Sequence, residues 1–142
     1  MPWYVPQKYF DLIPDDVPLP EIRGNDLDDV PALGRAFTAG KSKFVEQVLK
    51  SGQHASGVRA YLAATAYADA QMVLVLDALE RGPYRDNTIV VLWSDHGYHH
   101  GEKGQWGKHT LWERTSNVPF IWAGPGVAKG VNRKHPPVSA GW

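Results

Sequence analysis

Val58, Leu62, Thr65, Ala68, Met72, Val75, Leu76 and Leu79 recur mostly three or four residues apart and predict one face of a helix over 58–79. Thr65 is the polar member of that stripe; its methyl can pack while its hydroxyl bonds back to a carbonyl one turn earlier. Tyr61, Tyr67 and Val73 lie off the stripe, so the helix is expected to be a core helix packed on more than one side, as in a layered α/β fold. Arg81-Gly82-Pro83 closes it: Gly82 is expected in the left-handed capping conformation, and Pro83 cannot continue a helix. Thr88 to Trp93 is an almost continuous β-branched and apolar run. It predicts a central strand covered on both faces, of the kind common in parallel sheets. A second run, Val118-Pro119-Phe120-Ile121-Trp122, contains a proline that cannot donate to a ladder, so it is expected to start near an edge or a bulge. Helix, strand, loop, strand is the skeleton.

Residues 1–31 read as an extended Pro-rich arm, with Pro2, Pro6, Pro14, Pro18, Pro20 and Pro31. Trp3, Tyr4, Val5, Tyr9, Phe10, Leu12 and Ile13 make it too apolar for a disordered tail, so it is expected to lie over another surface. Asp26-Leu27-Asp28-Asp29 predicts the acidic start of a short helix through Leu33, and Ser42 to Leu49 predicts another. No internal repeat or low-complexity tract is present.

The length of 142 residues fits a single domain. Lys+Arg 15 balances Asp+Glu 15, which removes the basic field of a nucleic-acid or anionic-membrane binder. The absence of cysteine excludes a disulfide framework, a thiolate zinc site and a thiol nucleophile within this chain. No uninterrupted apolar run approaches the ~18 residues of a membrane span. Met1-Pro2-Trp3-Tyr4 lacks the charged start and apolar middle of a signal peptide.

Candidate chemistry concentrates between the two strands, in residues 94–115, which hold His96, His99, His100 and His109 together with Gly97, Gly101, Gly104 and Gly107. In open α/β sheets functional groups gather at the carboxyl ends of strands, where Ser94-Asp95-His96-Gly97 would lie. Asp95 and His96 offer a hard oxygen and a nitrogen side by side, and Gly97 lets the backbone turn so that both face one point. Metal ligation stands at even odds with the plain alternative, Asp95 as a turn cap and His96 as a satisfied imidazole. His99 and His100 could complete a zinc site with His96 or His109, but no spaced ligand set is present, and both are expected on a solvated loop surface. Beyond Gly97 the chain turns basic, with Lys103, Lys108, Arg114, Lys129, Arg133 and Lys134, which makes an anion a plausible guest. Lys108, beside Gly107 and Trp106, could carry its ammonium to the Asp95–His96 pocket; a solvated lysine is the plain alternative.

The stretch RAYLAATAYADAQMVLVLDALERGPYRDNTIVVLWSDHGYHHGEKGQWGKHTLWERTSNVPFIWAGPGV resembles the central and later part of a formylglycine-dependent sulfatase of the alkaline-phosphatase-like superfamily. The arm PWYVPQKYFDLIP is similar to a segment of iduronate-2-sulfatase-like members, as is the His form at position 96. The resemblance implies an α/β fold, a partial alkaline-phosphatase-like layered sheet with flanking helices and long loops. It implies that Asp95 and His96 bind a divalent cation, usually calcium, although calcium prefers oxygen donors. It also implies that Lys108 binds the sulfate and stabilises the leaving oxygen. The expected activity is hydrolysis of a sulfuric ester, on a small molecule or a sulfated glycan, by electrostatic preorganisation around a tetrahedral anion. The residues leave the location unknown, and the resemblance alone suggests a secreted or periplasmic one.

The chain departs from the family in two respects that bear on chemistry: it has no Cys/Ser-x-Pro-x-Arg motif, the precursor of formylglycine, and none of the Asp-Asp metal ligands expected after a first strand. The expectation is therefore that 1–142 is a fragment of one catalytic domain, the arm at 1–31 and a helix/strand core at 32–142, lacking an N-terminal half and inactive alone. The alternatives are a non-catalytic remnant that binds metal or anion, and a phosphatase or phosphodiesterase of the same superfamily.

Overall fold

The computed structural model describes residues 3–39 and 42–130. Pro2 of the arm, Arg133 and Lys134 of the basic third, and the chain start lie outside the described residues. The elements in order are α1 (Gln7–Phe10), α2 (Ala32–Ala39), α3 (Ser42–Lys50), α4 (His54–Arg81), β1 (Val90–Trp93), β2 (His99–His100), β3 (Trp106–Gly107), α5 (Glu113–Ser116) and β4 (Phe120–Ala123). Single 3-10 turns lie at Arg85–Asn87 and Glu102–Gly104. The class is α/β, with small antiparallel sheets, β1 with β4 and β2 with β3.

The long helix α4 forms where the apolar period lies, and the Thr65 hydroxyl donates to the Tyr61 carbonyl at 3.0 Å, one turn back. Its end differs from expectation. Gly82 is extended (φ −90°, ψ 167°) rather than left-handed, and its amide closes the helix by donating to the Leu79 carbonyl. Pro83 is the reason, because the residue before a proline is driven towards extended backbone. The same rule moves the preceding short helix. Residues 24–30 form successive turns and α2 begins only at Ala32, because Pro31 pushes Val30 out of the helical region and then serves as a first-turn residue itself.

The arm packs on α4. The buried Tyr9 ring meets Tyr67 edge-on at 5.2 Å. Arg59 reaches up from α4 to donate to the carbonyls of Ile13 (3.2 Å) and Phe10 (3.1 Å), satisfying acceptors at the end of α1, and pairs with Asp15 at 2.8 Å. Trp3 packs edge-on against both Tyr61 and Tyr98, with ring centroids 5.5 and 5.2 Å away, while those two rings lie 5.5 Å from each other.

The strand at 90–93 is not a covered parallel strand. It pairs antiparallel with β4, Val90 opposite Ala123 and Trp93 opposite Phe120. Trp93 is 63% exposed and Phe120, Ile121 and Trp122 are exposed as well. A run apolar on both faces expects cover on both, and the described residues supply β4 as its one ladder neighbour. The same holds for α4: Val58 and Ala63 are buried, whereas Val73, Leu74, Val75 and Leu76 are exposed. It is a core helix in its first half only. By length and composition α4 could also cross a membrane, which uninterrupted apolar runs did not reveal because Thr65, Asp69 and Gln71 interrupt them. Its Arg59 is instead committed to the arm.

Residues 94–115, expected as one loop, contain the β2–β3 pair and all but the last residue of α5. Strands of this length have no period to read. His99 faces Gly107 and His100 faces Trp106 across the ladder. The turn between them is held by Lys103, whose positive φ of 52° is fixed by Asp26: the Lys103 amide donates to Asp26 Oδ2 (3.2 Å) and its ammonium to Asp26 Oδ1 (3.0 Å).

Candidate functional site

β1 ends at Trp93 and delivers Ser94-Asp95-His96-Gly97 into a turn, tightened by the Ser94 hydroxyl donating to the His96 carbonyl at 2.7 Å. Gly97 follows because nothing larger fits: a β-carbon there would overlap the Arg114 carbonyl oxygen. Its amide donates to the Thr115 carbonyl at 2.9 Å, clamping the turn to α5.

His96 Nδ1 lies 2.8 Å from the Gly97 carbonyl oxygen. A carbonyl only accepts, so the proton sits on Nδ1 and Nε2 keeps its lone pair. That Nε2 is 3.6 Å from Asp95 Oδ2, on an exposed carboxylate. A lone pair facing an anionic oxygen is stabilised by a positive charge between them, and an imidazole oriented by a backbone carbonyl is the usual arrangement of a histidine metal ligand. Asp95 and His96 could thus supply one oxygen and one nitrogen donor to a divalent cation, and a protonated His96 paired with Asp95 would show the same contact. No group of three or more His, Cys, Asp or Glu side chains converges among the described residues.

His99 and His100 are not surface residues. His99 is fully buried, with Nε2 3.0 Å from the Thr110 hydroxyl and Nδ1 3.9 Å from Glu102 Oε2. His100 is buried among Tyr61, Tyr98, Trp106 and Trp3, at ring distances of 4.4, 5.0, 5.3 and 6.1 Å. Burial pushes its pKa down to about 4, against the opposing pull of Glu102. The β2–β3 pairing takes both out of solvent, His100 into the aromatic layer under the arm and His99 on the other face towards Thr110 and Glu102. Neither joins His96 or His109 in a metal cluster.

Lys108 follows Gly107, whose φ of +116° lets the chain leave β3. The ladder brings this point back opposite His99. Lys108 is exposed, and its ammonium makes no hydrogen bond or ion pair among the described residues. A cavity of about 530 Å³ opens beside His96, lined by Tyr61, Ser94, Tyr98, Arg114 and Asn117 among others; Asp95 and Lys108 do not line it. Arg114 is thus the cation on that cavity. It was read only as one charge of the basic third, since nothing in the sequence shows that Gly97 packs against its backbone.

The sequence matches the Sulfatase family over residues 19–140. A protein named sulfatase from Formosa agariphila is 43% identical over 132 residues, covering 92% of this chain and 26% of that protein. The choline-sulfatase of Rhizobium meliloti is 39% identical over 52% of this chain and 14% of its own length. Human iduronate 2-sulfatase is 35% identical over 48% of this chain and 12% of its own length. The chain thus spans about a quarter or less of the length of these relatives.

Proposed function

The chain belongs to the sulfatase family, and on that premise we propose that it carries part of a site that hydrolyses a sulfuric ester. Asp95 and His96 would hold a divalent cation, calcium in this proposal, and Lys108 would bind the sulfate and stabilise the departing oxygen. When bound, the cation neutralises charge on the sulfate oxygens. The chain's own part is to orient the His96 lone pair through Gly97, to present the Asp95 carboxylate beside it, and to offer an uncommitted ammonium just past the strand that returns opposite His99. The nucleophile is not among these residues, because the reaction expected of the family is covalent and the chain has neither cysteine nor a Ser-x-Pro-x-Arg motif. The chain alone should therefore bind metal and sulfate without turnover. A sulfated carbohydrate is the proposed substrate class, supported by the iduronate 2-sulfatase likeness and by the His form at position 96.

The observation that carries this reading is the 3.6 Å approach of His96 Nε2 to Asp95 Oδ2 with Nδ1 already committed. Calorimetric titration of the chain with calcium, then of the calcium-loaded chain with inorganic sulfate, tests it. Loss of calcium binding in Asp95→Ala and loss of sulfate binding in Lys108→Ala are expected. Unchanged binding in both variants would sink the assignment.

A further inference from the structure

Between the proposed metal-binding turn and Lys108 runs a chain of partly buried hydrogen bonds that the reaction does not itself require. Thr115 is buried, and its hydroxyl lies 2.9 Å from the Thr110 carbonyl and 2.9 Å from the Trp112 carbonyl. The Thr110 and Thr115 hydroxyl oxygens are 2.8 Å apart, and Thr110 Oγ1 is 3.0 Å from His99 Nε2. Carbonyls only accept, so the single Thr115 proton is committed to them. The Thr110 proton must then go to Thr115 Oγ1. His99 in turn must donate from Nε2 to Thr110. Polarity is thereby fixed along the whole relay, from imidazole to hydroxyl to hydroxyl to backbone. Its far end is the Thr115 carbonyl, which accepts the Gly97 amide at 2.9 Å and so holds the Asp95-His96 turn. Thr110, between the imidazole and Thr115, is tied through its amide to the Lys108 carbonyl at 2.9 Å.

We propose that His99, Thr110 and Thr115 are positioning residues that lock the segment bearing Lys108 in register with the turn bearing Asp95 and His96. The inference rests on the sulfate-binding role given to Lys108 above. None of the three side chains need touch the substrate. What they set is the distance between cation and metal ligands, to which an electrostatically organised anion site is sensitive. A hydroxyl shared by two neighbours is suited to this, because removing it takes one hydrogen bond from His99 Nε2 and one from the Thr115 hydroxyl at once.

The test uses the full chain. Imidazole 15N spectra should show His99 protonated at Nε2. Thr110→Val, nearly isosteric, should speed hydrogen exchange of the Gly97 amide by about tenfold and lower the affinity of the calcium-loaded chain for inorganic sulfate by about tenfold. Thr110→Ser should restore both to within about twofold of the parent, and His99→Gln, which keeps a donor near the Nε2 position, should retain more affinity than His99→Leu. Rescue by serine separates positioning from a loss of packing, and circular dichroism establishes that each variant is folded. Should Lys108→Ala weaken sulfate binding while Thr110→Val does not, positioning is overturned and the sulfate site stands. Should Lys108→Ala bind sulfate like the parent, the sulfate site itself is overturned, and the positioning role with it. A His99 protonated at Nδ1 alone overturns the relay whatever sulfate does.

Discussion

The α-carbon of Gly97 lies against the carbonyl oxygen of Arg114, so closely that a β-carbon would overlap it. Both backbones are pinned there, because the Gly97 amide donates to the adjacent Thr115 carbonyl. Gly97→Ala is therefore expected to destabilise the chain by about 2 kcal/mol or more, since neither side can yield without breaking that bond. Thermal or urea melts of the two proteins check this. A loss within about 0.5 kcal/mol, the range of an ordinary surface change, would mean that the turn is not clamped.

Asp26 and Lys103 tie the arm to the turn between β2 and β3 with both side chains mostly shielded, at 27% and 25% exposure. The hydrogen bond from Lys103 holds the Asp26 carboxyl below its usual range. A depressed carboxyl contributes stability above the unfolded pKa and loses it as pH falls through the folded value. Asp26→Asn is expected to cost about 1 kcal/mol at neutral pH, and the cost should shrink as pH falls below the unfolded carboxyl's value of about 3.9 and on through the lowered folded one. Urea titrations at pH 7 and pH 3 give the comparison.

The sequence made the long helix and the two main strands legible because each carries a pattern of its own: the period of Val58 to Leu79, and the β-branched run before Ser94. It also located the turn holding Asp95 and His96, since a strand end is a position that can be read directly. It did not show that His99 and His100 are buried. Their burial comes from pairing with Trp106 and Gly107 and from Trp3 arriving over the top, contacts between distant residues with no local signature. The covered strand expected at Thr88 to Trp93 was a correct reading of composition, but burial depends on neighbours, and those described here leave Trp93 and the β4 face open. Gly82 was misjudged for a local reason: the cap preference of glycine was weighed without the constraint from Pro83.

His100 makes the chain sensitive to acid. Burial holds its pKa near about 4, with Glu102 favouring the charged form and His54 and His99 opposing it. Unfolded, it titrates near about 6.5. Between those values the unfolded chain binds more protons than the folded one, so stability rises with pH across the window and falls on acidification by up to about 1.4 kcal/mol per pH unit. His100 Nε2 is buried without a hydrogen-bond partner among the described residues. His100→Leu is then expected to flatten this dependence and to raise stability at pH 5, since leucine suits the ring of Trp3, Tyr61, Tyr98 and Trp106. Chemical denaturation at several pH values decides it; an unchanged slope would show that another group carries the dependence.

The last expectation concerns which ion the Asp95–His96 pair prefers. With Nδ1 bonded to the Gly97 carbonyl, His96 offers Nε2 as its donor beside the Asp95 oxygen. A mixed nitrogen and oxygen set is a compromise, since imidazole suits zinc and related metals whereas calcium takes oxygen donors. His96→Gln places an amide oxygen or nitrogen in nearly the same reach, and only the oxygen can ligate, so the set becomes harder. Calcium affinity should hold or rise, and zinc affinity should fall by about tenfold or more, the loss of one nitrogen ligand. Asp95→Asn should weaken both ions, because it removes the one formal negative charge of the pair. Competition between calcium and zinc on the parent and the two variants reads this directly. Equal losses of both ions in His96→Gln would mean that the imidazole holds the turn rather than the metal, leaving Asp95 as the single ligand of the pair.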